Sequence, residues 1–169
     1  MTGTREGPER IVDPHVMRDV LGHFPSGVTV VTAVTDDGPI GFTCQSFSSL
    51  SLDPPLVAFA PARTSGTWAR LREIGRFCVN VLEEGRDDVS QNFARSAPDK
   101  FAGVPWTPSP HGAPVLEGIV AWIDVELWAE YDGGDHTIAV ARVLDLGAYA
   151  DRRPLLFHRG VYGLLRTEA

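Results

Sequence analysis

Two cysteines are present in 169 residues, Cys44 and Cys78, with neither CxxC spacing nor a histidine beside them. A disulfide framework and a zinc site of ordinary spacing are therefore excluded, and two buried free thiols are expected. Long hydrophobic runs are missing as well. Charges or proline interrupt every apolar stretch well short of the roughly 20 residues that a membrane helix requires, so no membrane partner is expected. Positive charge is scarce: 15 Lys+Arg stand against 22 Asp+Glu, a net charge of -7, and no basic run supplies a local positive field. Nucleic acid is a poor partner for such a surface. Residues 1–10 are polar and carry Gly3, Gly7 and Pro8, with no apolar segment to serve as a signal-peptide core. A flexible arm over 1–12 and a cytoplasmic location are expected. Also missing are GxGxxG after a strand, GxxxxGK[ST], HExxH and GxSxG, which removes the local signatures of dinucleotide folds, phosphate-loop enzymes, zincins and α/β-hydrolases. Any nucleotide must be held in another way.

What remains is a chain of ordinary globular composition, 43% hydrophobic and 22% charged, long enough for one domain over 13–169. Asp13-Pro14 before Val16, Met17, Val20, Leu21 and Phe24 predicts a short amphipathic helix with a capping aspartate and proline in its first turn. Val28–Thr35 is almost all β-branched and leads through Asp36-Asp37-Gly38-Pro39 to a second strand over Ile40–Phe47, a hairpin. Asp53-Pro54-Pro55 precedes a short apolar strand, Leu56–Ala60. Trp68, Leu71 and Ile74 recur at three-residue steps behind Thr64-Ser65 and predict a helix, after which Arg76–Leu82 returns to strand. Asp87 or Asp88 can cap another helix carrying Val89 and Phe93. The Pro- and Gly-rich stretch 97–114 has no period and is expected to be a long surface loop. Ile119–Tyr131 alternates cleanly, with Ile119, Ala121, Ile123, Val125 and Leu127 on a core face and Trp122, Asp124, Glu126 and Trp128 on a wet or interface face. Asp132-Gly133-Gly134-Asp135 then turns into Thr137–Leu146, and a last strand is expected at Leu155–His158.

Strands dominate, and the helices do not alternate regularly with them, which argues against a doubly wound parallel sheet. A mainly β (α+β) fold is predicted, a small β-barrel with peripheral helices. Two polar clusters stand out within it. One is Thr43-Cys44-Gln45-Ser46-Phe47-Ser48-Ser49, whose hydroxyls and amide can bond a phosphate or the polar edge of a heteroaromatic ring, although composition alone favours a plain serine-rich turn. The other is Arg63-Thr64-Ser65-Gly66-Thr67, where a strand gives way to a helix whose unpaired N–H groups face an anion. Helix capping would account for Thr64 and Ser65, but not for the added charge of Arg63.

Several stretches together resemble the flavin reductase-like domain family, over about Val20 to Leu164. They are Phe24-Pro25-Ser26-Gly27-Val28-Thr29-Val30-Val31-Thr32, Gly41-Phe42-Thr43 with Ser46-Phe47, Ser51-Leu52-Asp53-Pro54-Pro55-Leu56-Val57, Arg76-Phe77-Cys78-Val79-Asn80-Val81-Leu82, Asp99-Lys100-Phe101 and Gly134-Asp135-His136. The resemblance implies an FMN-binding split β-barrel, Greek-key-like, and an enzyme that reduces FMN or FAD with NADH or NADPH for a separate oxygenase component. It places Thr43, Gln45, Ser46, Ser48 and Ser49 along the flavin ring and ribityl chain. Arg63, Ser65 and Thr67 fall around the phosphate, and Lys100 and Phe101 in a loop near the flavin. His136 lies where the nicotinamide stacks, as the residue expected to act in catalysis. It also implies a homodimer, and no metal. A split barrel that keeps its flavin and acts on an organic substrate, and a flavin-binding module without a hydride path, are the alternative readings.

Overall fold

The computed structural model describes residues 12–163. The arm expected over 1–12 lies outside the described residues except for Val12, as does the end of the chain from 164. Helix α1 (Pro14–Leu21) opens the fold, capped by the Asp13 carboxylate, which accepts from His15 N and Val16 N. Strands β1 (Ser26–Gly27), β2 (Thr29–Thr35) and β3 (Gly38–Cys44) follow, with β2 and β3 joined as the expected hairpin. Next come β4 (Ser48–Leu52), β5 (Pro55–Phe59), α2 (Gly66–Ile74), β6 (Arg76–Leu82) and α3 (Asp87–Ala94). The short β7 (Trp106–Pro108) and β8 (Pro114–Leu116) precede the two longest strands, β9 (Ile119–Gly133) and β10 (His136–Ala148). Finally β11 (Leu156–His158) and β12 (Val161–Tyr162) form a small sheet with β1.

Seven antiparallel strands form the main sheet in the order β3-β2-β6-β9-β10-β5-β4. Its two edge strands, β3 and β4, are consecutive in the chain and separated only by residues 45–47. Four peptide steps span at most about 14 Å at the extended limit, so the two edges must approach each other. The sheet therefore curls into a barrel that stays open between β3 and β4. Chain direction around it is Greek-key-like, since β5 pairs with β10 and β6 pairs with both β2 and β9.

Two apolar clusters hold this arrangement. In one, Val31, Phe59, Phe77, Val79 and Val125 meet Trp68 and Leu71 of α2. The Phe59 ring stands edge-on to both Trp68 and Phe77, at 5.5 and 5.6 Å between centroids, a favoured aromatic geometry. In the other, Val28, Val30, Leu82 and Ile119 pack against Val89 and Phe93 of α3, with Leu116 and Leu155. Neighbouring residues Val30 and Val31 enter different clusters, which is why β2 is buried on both faces.

Four expectations are corrected. The segment 97–114, expected as loop throughout, contains β7, which pairs with β8 because Trp106 and Leu116 reach the second cluster and their burial outweighs the local prolines. Ser48 and Ser49, read as part of a serine-rich turn, belong to β4, an edge strand on β5. Asp124, expected on a wet face, is 1% exposed: the loop before β8 covers it, and His111 N donates to its carboxylate at 3.3 Å. Neither Asp87 nor Asp88 caps α3. Arg86 occupies that position without a side-chain bond, and both aspartates lie in the first turn, where the helix dipole favours them.

Candidate active site

A cleft of about 1140 Å³ lies at the end of β3, beside the link to β4. Its floor is the end of β3 and the link to β4, from Phe42 through Thr43 and Gln45 to Ser46. One wall is the segment after β5 and the start of α2, including Pro61, Thr64, Ser65, Thr67 and Arg70. The other wall is the end of α3 and the residues after it, from Phe93 to Pro98, with Lys100. His136 and Tyr162 complete the lining.

Local chemistry explains why these groups face one space. Ser65 caps α2, its hydroxyl accepting from Trp68 N at 3.1 Å, while Gly75 in the left-handed region ends that helix. Trp68 and Leu71 are buried, so the opposite face of α2, with Gly66, Thr67 and Arg70 at steps of three and four, is turned to the cleft. The first N–H groups of a helix have no acceptor within it and carry its positive dipole end. Thr43 reaches from β3 to α3, donating to Ser90 O at 2.6 Å. Ser46 ties the link to β5, accepting from Ala60 N at 2.8 Å and donating to Ala60 O at 3.3 Å. Cys44 also lines the cleft, and burial pushes its thiol pKa up.

His136 begins β10 directly after a tight turn in which Gly134 takes φ of 78°. The turn is fastened to the segment after β5: Arg63 N donates to Asp135 O at 3.0 Å, and Thr137 N to Pro61 O at 3.0 Å. The imidazole Nδ1 lies 2.7 Å from the Asp135 carboxylate. That hydrogen bond, with the imidazole's charge, holds the Asp135 carboxyl below its usual range.

Of the residues singled out in the sequence, Thr43, Gln45, Ser46, Ser65, Thr67, Lys100 and His136 line this one cleft. Ser48 and Ser49 do not; they are exposed on the edge strand β4. Phe101 does not either, because its ring packs on Phe93 and Trp106. Arg63 is outside the lining: its guanidinium bonds Asp132 at 2.7 Å and the His136 carbonyl at 3.3 Å. Sequence reasoning missed Arg70, Arg95, Ser96 and Tyr162. The signal for Arg70 was available, since it lies four residues beyond Gly66 and three beyond Thr67 on one helical face. Arg95 and Tyr162 come from segments without periodicity and had none.

The electrostatics of the cleft run against those of the chain. Among the described residues Arg70, Arg95 and Lys100 line it and no aspartate or glutamate does, in a protein of net charge -7, while Arg70 also pairs with Asp37 at 3.0 Å. Such a site favours an anion. The hydroxyl and amide floor suits a ring edge that both donates and accepts, while Ile40, Pro61, Ala62 and Pro98 offer apolar surface to its faces. A flavin phosphate and isoalloxazine fit this donor set.

The sequence profile described as "Flavin reductase like domain" matches residues 21–166. The chain belongs to the flavin reductase-like domain family. It is 48% identical over 162 residues to the flavin-dependent monooxygenase reductase subunit HsaB of Rhodococcus jostii, covering 96% of this chain and 83% of that protein. Among solved structures, it superposes with a TM-score of 0.85 on nitrilotriacetate monooxygenase component B of Mycobacterium thermoresistibile, at 46% identity over 88% of this chain and 84% of that one. It also superposes with a TM-score of 0.86 on the Streptomyces globisporus NADH:FAD oxidoreductase SgcE6 in complex with NAD and FAD fragments. There the identity is 36%, over 95% of this chain and 99% of that one. The flavin reductase fold seen here is thus shared along nearly the whole described chain. Among the described residues, no helix is long and apolar enough to cross a membrane.

Proposed function

We propose that this chain is an NAD(P)H:flavin oxidoreductase that reduces FMN or FAD and passes the reduced flavin to a separate monooxygenase. The observation that carries the reading is the cationic cleft at the end of β3, with His136 in its lining and no acidic residue among the described residues that line it. The bound flavin supplies the ring that accepts a hydride. The protein's task is to hold two rings face to face at reacting distance, which needs positioning more than acid–base chemistry. On this reading Arg70 and the start of α2 hold the phosphate, and the Thr43–Ser46 floor holds the polar ring edge. With Asp135 ionised, the imidazole of His136 donates from Nδ1 to that carboxylate. Nε2 is then left to bond the carboxamide of a nicotinamide.

The test is flavin-dependent oxidation of NADH and NADPH by purified protein. No oxidation of either with FMN or FAD present would end the proposal. Repeated gel filtration separates this reading from that of a permanently bound flavin, because an enzyme that hands its flavin over loses it on the column. A homodimer belongs to the same proposal. It is supported by α1, which has no buried residue and leaves Val16, Val20 and Leu21 each about 60% exposed beside Phe24 at 80%. Sedimentation velocity checks it. We place the enzyme in the cytoplasm, where two buried free thiols remain reduced.

A further inference from the structure

Lys100 is the sole lysine of the chain; the other 14 of the 15 basic residues are arginine. It is held at both ends. Its ammonium donates to Phe93 O at 3.0 Å and to Gly41 O at 3.2 Å, and its own carbonyl accepts from Asn92 Nδ2 at 2.6 Å. The next residue, Phe101, stands edge-on to Phe93 at 4.9 Å between centroids.

These bonds join three parts of the cleft. Gly41 belongs to β3, the floor; Phe93 lies in the last turn of α3, the wall. Residues 95–99 form a strap between α3 and Lys100, and Arg95, Ser96, Ala97 and Pro98 of that strap line the cleft. Floor and wall touch at this point, because a Cβ on Gly41 would lie 2.9 Å from the Phe93 ring. The last turn of α3 contains no basic residue, so the ammonium supplies from outside the helix the cation that its carbonyl end favours. A compact ammonium with three donors can serve two carbonyls from different elements, whereas a planar guanidinium fork is shaped for one coplanar acceptor pair.

We propose that Lys100 is a positioning residue: it clamps the 95–99 strap and the end of α3 onto β3, setting the width of the cleft, and does not bind the flavin phosphate. Burial lowers the ammonium's pKa, and the two carbonyls give acceptors to a charge taken partly out of water. The role concerns the flavin cleft and so rests on the reductase reading.

The experiment compares Lys100→Met, which keeps the stem and removes the charge, with Asn92→Ala, which releases the Lys100 backbone from outside the cleft lining. In both variants KM for FMN and KM for riboflavin should rise together, each about 3- to 30-fold for the loss of one or two hydrogen bonds. Trypsin should cut after Arg95 at least about tenfold faster in both, because the strap opens more often. The double variant should be little worse than Lys100→Met, since both remove one clamp. A loss in Lys100→Met confined to FMN would make Lys100 a phosphate ligand and overturn the proposal. Unchanged cleavage in both variants would overturn it too. If wild-type protein gave no flavin-dependent NADH oxidation, the reductase reading would fall, while the cleavage rates would still decide the clamp.

Discussion

Arg63 and Asp132 form an ion pair across the base of the β9–β10 turn, with 2.7 Å between guanidinium and carboxylate. Arg63 also donates to the His136 carbonyl at 3.3 Å, and its backbone N–H to Asp135 O at 3.0 Å. Asp132 in turn accepts from Gly134 N at 2.9 Å. Arg63, expected at the phosphate, here bonds both sides of the turn that precedes His136.

This separates two arginines by ligand. Arg70→Ala should weaken FMN at least about tenfold more than riboflavin, because only FMN carries the phosphate and a charge-assisted bond contributes about 1.5–3 kcal/mol. Arg63→Ala should change both dissociation constants by the same factor and lower turnover through His136. Flavin fluorescence titrations give all the constants. A selective loss of FMN binding in Arg63→Ala would return that residue to the phosphate.

Gly41→Ala tests the contact of floor and wall. The added methyl would meet the Phe93 ring and Val31 O, each at 2.9 Å, and the Val31 backbone is fixed in the β2–β3 ladder. Overpacking of this kind costs about 1–3 kcal/mol. Urea denaturation should show a lower midpoint with an unchanged slope, together with weaker flavin binding. Wild-type stability would show that α3 can move away at little cost.

Acid should act late on the exposed carboxylates. The hydrogen bond from Gly134 N and the Arg63 charge hold Asp132 below its usual 3.8, and Arg76 with Arg142 holds Glu126 below 4.5. A carboxylate with a depressed folded pKa contributes stability above its unfolded value and loses it as pH falls through the lower folded value. Asp132 is exposed and Glu126 partly so, and solvent screening keeps the gain small. NMR titration should place their midpoints below 3.8 and 4.5, respectively, and Arg63→Ala should move Asp132 upward while leaving Glu126 unchanged.

The barrel was legible because its strands carry β-branched runs or alternation and its turns carry Asp, Gly and Pro, with a β-branched run and such a turn together in Thr29–Cys44. Local capping was legible too, at Asp13 and Ser65. Hidden features were those fixed by distant contacts. Nothing near Asp124 announces that the 109–113 loop will bury it, and the strand in Trp106–Pro108 exists only because Trp106 packs into a core assembled elsewhere. For the site, residue types and positions on β3 and α2 could be read. Side-chain direction could not: Arg63 turns to Asp132 because the β9–β10 turn folds beside it, 69 residues later in the chain.

His136 should separate binding from turnover. Its side chain lines the cleft, and its one side-chain bond among the described residues is to Asp135, so no core contact depends on the imidazole. His136→Ala should therefore fold, sediment like wild type and bind oxidised FMN within about threefold. On the proposed reading it loses a group that holds the nicotinamide against the flavin, and misplaced rings cost rate steeply. The expected loss in kcat/KM for NADH is one to a few powers of ten, at about 1.4 kcal/mol per tenfold. Asp135→Asn keeps the imidazole but removes the carboxylate that fixes its Nδ1 proton, and should fall between wild type and His136→Ala. Steady-state kinetics with NADH and anaerobic stopped-flow reduction of bound flavin measure both variants. Wild-type kcat/KM in His136→Ala would remove the residue from the nicotinamide site, and lost flavin binding would reassign it to the flavin itself.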